Sequence, residues 1–158
     1  MTKILVIEDE PLLREHISQV LGFEDYEVYS APDGSAGIDM AVEVQPDLIV
    51  SDIMLPGADG YQVLEAVRSV GALARTPFIF LSAKADKGDV RQGMELGAED
   101  YLTKPFEFPE LLRAIETQLE KKHALDELAN QKRDELASDL LRMIPHEMRT
   151  PLTALLGY

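Results

Sequence analysis

The sequence predicts an α/β fold, a doubly wound parallel sheet of five strands followed by one long C-terminal helix. Three observations carry this. The apolar runs at 4–7, 48–50 and 78–81 are short and do not alternate with polar residues, which suits strands buried on both faces of a parallel sheet. Helix-period stretches separate these runs in regular alternation, the pattern of successive βα units. Between residues 107 and 144 there is no glycine, and the one proline, Pro109, falls where a first helical turn tolerates it.

Each element has its own local reason. The first run ends at the acidic pair Glu8-Asp9, and Pro11 suits the opening turn of a helix whose Leu12, Leu13, Ile17, Val20 and Leu21 form one stripe. Gly22 is its expected stop, and Asp9 is placed to cap its start. Residues 26–30 mix apolar and polar side chains as an edge strand does. Helical patterns follow at about 34–44, 59–70 and 86–96, and residues 100–103 supply the last strand before a helix opening near Glu107.

That last helix does not stop where a single domain would end it. Leu111, Leu112 and Ile115 can dock on the sheet, but beyond Leu119 the apolar positions thin to Leu125, Leu128, Leu136, Leu140 and Ile144. Spacings of three and four recur, broken by the gap from Leu128 to Leu136. This reads as an imperfect coiled-coil seam with a stutter, so a parallel homodimer is expected, with a solvated single helix as the alternative. Over residues 107–144 the helix would extend roughly 57 Å at about 1.5 Å per residue.

Charge divides the chain in the same place. Of the net −14, residues 1–120 hold 23 acidic and 9 basic side chains, whereas residues 121–158 hold six of each. An acidic first module repels nucleic-acid backbones, so no nucleic-acid partner is expected of it. No apolar run approaches the ~20 residues that span a bilayer, and Glu8 comes too early for a signal peptide. With no cysteine there are no disulfides or thiolate metal sites. A cytoplasmic location with no membrane contact is the simplest expectation.

The chemistry-bearing residues sit where buried strands surface. Glu8 and Asp9 end the first run, Asp52 follows the second, Ser82 the third, and Lys104 follows Thr103. In an open parallel sheet the carboxyl ends of the strands meet at one edge, where ligands bind. Three carboxylates, a hydroxyl and an ammonium then converge on a site suited to a divalent cation and a phosphoryl group. Mg²⁺ takes hard oxygen ligands, so Asp9 and Asp52 can ligate it directly and Glu8 through water. Without a cation, three clustered carboxylates would raise one another's pKa values. Asp52 is the candidate nucleophile, forming an acyl phosphate, and Lys104 would stabilise charge on the transferred oxygens.

Residues 1–120 resemble the receiver domain of bacterial two-component response regulators. The resemblance rests on Glu8-Asp9, on Asp52 with Pro56-Gly57 beyond it, on Ser82-Ala83, and on the stretch Gly97-Ala98-Glu99-Asp100-Tyr101-Leu102-Thr103-Lys104-Pro105-Phe106. It implies a flavodoxin-like strand order 2-1-3-4-5 and phosphorylation of Asp52 by a phosphohistidine donor, a kinase or phosphotransfer protein. It also implies a metal contact from the backbone carbonyl of Met54 and a switch role for Tyr101, which turns inward when Ser82 bonds the phosphoryl group. A cis peptide is expected at Lys104-Pro105.

The end of the chain, Pro145-His146-Glu147-Met148-Arg149-Thr150-Pro151-Leu152-Thr153, is similar to the phosphoacceptor box of sensor histidine kinases. That resemblance implies His146 as acceptor of the γ-phosphoryl of ATP, Glu147 as its general base and Thr150 as a residue that orients water. It divides the chain into a receiver (1–120), a coiled-coil signalling helix (121–144) and the start of a kinase dimerisation domain (145–158). The whole protein would be a hybrid histidine kinase passing its phosphoryl group to a downstream response regulator; this chain has no nucleotide-binding domain and would not be a kinase by itself. About 58 Å of helical rise separates Glu107 from His146, so transfer from His146 to Asp52 on the same chain is not expected. The alternatives are a response regulator with a transcriptional output and a phosphotransfer scaffold without kinase activity.

Overall fold

A computed structural model describes the backbone of residues 1–83 and 87–142, and the side chains of all of these except 87–90, 141 and 142. The order is β1 (Lys3–Ile7), α1 (Pro11–Phe23), β2 (Glu27–Ala31), α2 (Gly34–Val44), β3 (Leu48–Asp52), α3 (Gly60–Ser69), a 3-10 turn (Gly71–Leu73), β4 (Phe78–Ser82), α4 (Lys87–Glu95), β5 (Asp100–Thr103) and α5 (Phe108–Arg142). The strands pair in parallel in the order β2-β1-β3-β4-β5, as the resemblance implies. The chain divides into two compact units, Met1–Glu120 and Lys121–Tyr158. No helix among the described residues is long and apolar enough to cross a membrane.

Strand alternation builds two cores from one sheet. Leu5, Ile7, Ile49, Phe78 and Phe80 face a layer completed by Val63, Leu64 and Val67 of α3 and Ala41 of α2. Their neighbours Ile4, Val6, Leu48, Val50, Ile79 and Leu81 face the other way, onto Ile17 and Leu21 of α1 and Leu111 and Ile115 of α5. Both faces of β1, β3 and β4 are therefore closed to water, which is why these strands carry unbroken apolar runs.

α1 departs from expectation in three places. Leu12 is exposed: at about 100° per residue it lies about 140° from Ile17, off the buried stripe. Asp9 does not cap the helix; Glu10 occupies the N-cap and makes no side-chain cap bond. Gly22 is not the stop, because the helix runs on to Phe23 and the chain reverses at Asp25, whose φ is 65°. Aspartate tolerates that left-handed turn. α2 and α3 start on true caps, with Asp33 accepting from Ala36 N and Asp59 forming a capping box with Gln62.

At the amino ends of β4 and β5, Arg68 of α3 closes the sheet. Its guanidinium holds both carboxylate oxygens of Glu99 at 3.0 Å and donates to the carbonyls of Gly97 (2.8 Å) and Thr76 (2.6 Å). Glu99 in turn accepts from Phe78 N at 2.6 Å. Burial raises the Glu99 pKa against these partners. Arg68→Ala leaves that carboxylate without its cation, and we expect a loss of about 2 kcal/mol in urea unfolding. Glu99→Gln keeps an acceptor for Phe78 N and should cost about half as much. Equal losses in the two variants would contradict this account.

Candidate functional site

The register of the strands sets the site. Ile7 pairs with Ser51, Asp52 with Leu81, and Ser82 with Thr103. The first residue beyond β1, Glu8, is therefore level with Asp52, the last residue of β3. Ser82, the last of β4, stands one step further out, and Lys104 follows the end of β5. Backbone bonds carry the ladder past the strand ends: Glu8 N donates to Ala31 O at 3.1 Å, Ile53 N to Leu81 O at 3.1 Å, and Lys104 N to Ser82 O at 2.7 Å. The Lys104-Pro105 peptide is cis.

Lys104 joins the two buried carboxylates. Its Nζ donates to Asp52 Oδ2 at 2.7 Å and to Glu8 Oε2 at 2.9 Å. Glu8 is 0% exposed and Asp52 6%. The other Asp52 oxygen, Oδ1, accepts from Met54 N at 3.3 Å. Glu8 Oε1 accepts from Glu10 N at 3.3 Å, and Arg14 of α1 donates to the Glu8 carbonyl at 2.9 Å. Burial pushes the Glu8 carboxyl up to about 7; the Lys104 hydrogen bond opposes this and the charge of Asp52 adds to it. For Lys104 itself burial pulls downward, but its bonds to Asp52 and Glu8 outweigh it and leave the pKa raised.

Asp9 is exposed, and one carboxylate oxygen from each of Glu8, Asp9 and Asp52 lies within 4.8 Å of the others. Three carboxylates against one ammonium leave excess negative charge around hard oxygen donors. That donor set fits Mg²⁺. Met54, whose carbonyl the resemblance adds to this set, projects a side chain that is 75% exposed.

Ser82 is buried at the end of β4, and Tyr101 is half-buried against the layer that holds Phe80. The structure thus brings Glu8, Asp9, Asp52 and Lys104 together, with Ser82 on the adjoining strand. His146, Glu147, Thr150 and the question of transfer from His146 to Asp52 lie outside the described residues. Sequence reasoning missed Arg14 and the partnership of Arg68 with Glu99. Arg14 carried one faint signal, its place one helical turn after Glu10 beside the acidic pair.

The chain is similar in sequence and fold to known proteins. A family model described as the response regulator receiver domain matches residues 4–116. The transcriptional regulatory protein HprR of Escherichia coli (strain K12) is 41% identical over 124 residues, 78% of this chain and 54% of that protein. The DNA-binding dual master transcriptional regulator RpaA of Synechocystis is 38% identical over 129 residues, 82% of this chain and 54% of that protein. The chain spans about half the length of the curated relatives it matches. Among solved structures, the chemotaxis response regulator CheY4 of Vibrio cholerae matches with a TM-score of 0.71 at 30% identity, covering 75% of this chain and 98% of that one. The signal receiver domain of a signal transduction histidine kinase from Syntrophus aciditrophicus matches with 0.71 at 30% identity, covering 77% and 92%. With its acidic pair, strand-end aspartate and bridging lysine on that fold, this chain belongs to the response regulator receiver domain family.

Proposed function

We propose that the chain is a phosphorylation-controlled response-regulator switch that accepts a phosphoryl group on Asp52 from a phosphohistidine donor. The observation that carries this is the Lys104 ammonium held between Asp52 and Glu8 at 2.7 and 2.9 Å. An Asp52 oxygen attacks phosphorus as the P–N bond to the donor imidazole breaks; the imidazole leaves with the electron pair and takes its proton from solvent. Glu8, Asp9, Asp52 and the Met54 carbonyl would hold Mg²⁺, which neutralises charge on the phosphoryl oxygens when bound. Lys104 keeps its positive charge at that point without reorganising, and the Ser82 hydroxyl is on hand for a phosphoryl oxygen. Tyr101, on β5 and packed against the layer that holds Phe80, is the aromatic whose position would report the change. The cytoplasmic location expected from the sequence belongs to this reading. So does a transcriptional output in a longer protein, which the names of HprR and RpaA favour.

A second reading rests on residues 121–158. Leu125, Leu128, Leu136 and Leu140 are 51–64% exposed on α5, an apolar stripe that favours a homodimer. The sequence around His146 favours a protein-histidine kinase as the longer protein, with His146, Glu147 and Thr150 in the roles given above and a downstream response regulator as acceptor.

Incubation with acetyl phosphate and Mg²⁺ should label the chain at Asp52, and Asp52→Asn should abolish the label. Intact labelling of that variant would place the acceptor elsewhere.

Thermal unfolding should report Glu8. With a folded pKa of about 7 against an ordinary value near 4.5, the native state binds more protons than the unfolded chain between these limits. Metal-free stability therefore falls as pH rises from about 4.5 to about 7. Mg²⁺ favours the ionised carboxylates, so its stabilisation should be larger at about pH 8 than at about pH 5, reaching about 2.7 kcal/mol at 100 times Kd. Glu8→Gln should flatten the metal-free slope. An equal Mg²⁺ effect at both pH values would contradict the assignment.

The two outputs separate in the full-length protein. Under the kinase reading, ATP labels it and His146→Gln removes the label, while residues 1–158 sediment as a dimer and residues 1–118 as a monomer. A protein that ATP leaves unlabelled, with or without His146, overturns the kinase reading.

A further inference from the structure

We infer that Gly34 and Gly60 are positioning residues for the phosphoacceptor, clamping the loop 53–59 at its two ends so that Asp52 and the Met54 backbone are held in register. The inference deepens the reading of Asp52 as acceptor and rests on it.

Gly60, the first residue of α3, lies on the backbone of the phosphoacceptor itself. A methyl group there would come 2.5 Å from the Asp52 carbonyl oxygen, 2.8 Å from Ile53 Cα and 3.1 Å from Phe80 Cε1. Its amide donates to Ile53 O at 2.8 Å, closing the loop onto its own start. Gly34, the first residue of α2, touches none of the site side chains. A methyl group there would overlap the Ala58 carbonyl oxygen and lie 2.8 Å from its carbonyl carbon. Both obstacles are backbone, which cannot rotate aside as a side chain does.

The loop is tied at both of its ends. Ala58 is followed by Asp59, whose side chain and backbone are locked to Gln62 at 2.9 Å in both directions. At its start, Ile53 N is bonded to Leu81 O of β4. α2 is also seated on β1, where Gly37 packs directly on the Ile7 side chain, next to Glu8. A push at Gly34 or Gly60 is therefore passed into the loop, and the loop carries Met54, whose amide donates to Asp52 Oδ1 at 3.3 Å. Near the reacting atoms, a displacement of about 1 Å is enough to cost on the order of 100-fold in rate.

The test compares the 158-residue chain with Gly34→Ala, Gly60→Ala and, as control, Gly22→Ala, where an added methyl group meets nothing within 4 Å. Three quantities are read: the nuclear magnetic resonance shift and exchange rate of the Met54 amide without metal, the Mg²⁺ dissociation constant, and the rate of labelling by acetyl phosphate. The two clamp variants should move the Met54 amide, weaken Mg²⁺ on the order of 10-fold and slow labelling on the order of 10- to 100-fold while remaining folded, and Gly22→Ala should match the wild type. Unchanged Met54 and Mg²⁺ readouts in either folded clamp variant would overturn the inference. So would unfolding of both at 25 °C, which would make the glycines determinants of the fold alone. If the wild type takes no label, the acceptor reading fails by itself, and the Met54 and Mg²⁺ readouts still decide the clamp.

Discussion

The Lys104 ammonium between Glu8 and Asp52 is the constraint around which the sheet edge is built. Two carboxylates at 0% and 6% exposure would be costly to ionise without a cation in contact. At Glu8 burial outweighs the Lys104 hydrogen bond, and the carboxyl is pushed up to about 7. With Asp9 close by, three carboxylates share the one ammonium of Lys104 among the described residues. Under the proposed function, a divalent cation or a phosphoryl group would change that balance. A switch needs that property, since a fully satisfied site would have nothing to gain from a ligand.

Strand alternation then decides which residues feel that change. Glu8 and Asp52 have the parity of Ile4, Val6, Leu48 and Val50, the layer under α1 and α5. Ser82 has the parity of Phe78 and Phe80, and Tyr101 packs in the same layer, under α2 and α3. The charged cluster and the hydroxyl–aromatic pair thus start from opposite faces of the sheet and meet only at its edge. In the proposed switch, a phosphoryl group on Asp52 that reached Ser82 would tie one face to the other. Phe80 lies directly in the path, with edge-on contacts to Tyr61 and Phe78 at centroid distances of 5.3 and 5.0 Å.

Much of this was legible in the residues because one rule connects them. A parallel strand buried on both faces is a run of apolar side chains, and the polar residues just past it mark the edge where the site lies; Glu8 and Ser82 follow their runs directly, Asp52 comes one residue later after Ser51, and Lys104 closes the mixed stretch 100–103. Where no such rule holds, the sequence misled. α1 ends at Phe23 and the chain reverses at Asp25 rather than at Gly22, because an aspartate can take the left-handed conformation that a glycine advertises. Leu12 is apolar yet off the stripe, which only the angular position relative to Ile17 reveals. The pairing of Arg68 with Glu99 joins residues 31 positions apart across elements whose spacing the fold alone determines. The close approaches of Gly34 and Gly60 likewise depend on where α2 and α3 start in space.

The same architecture explains why kinship over the receiver leaves the output open. Every residue of the site precedes Phe106, and the last core contacts of α5 on the sheet come from Leu111, Ala114, Ile115 and their neighbours. The relatives match over 124 and 129 residues, lengths close to that of the receiver. Acceptor chemistry at the sheet edge makes no demand on the segment beyond α5's sheet contacts, so one switch can drive unrelated effectors. In this chain the character of the sequence changes at once past that point: the charge excess of residues 1–120 gives way to balanced signs, and the leucines of 125–140 are exposed instead of buried. The proposed homodimer rests on that exposed stripe, and the transcriptional reading makes no use of it.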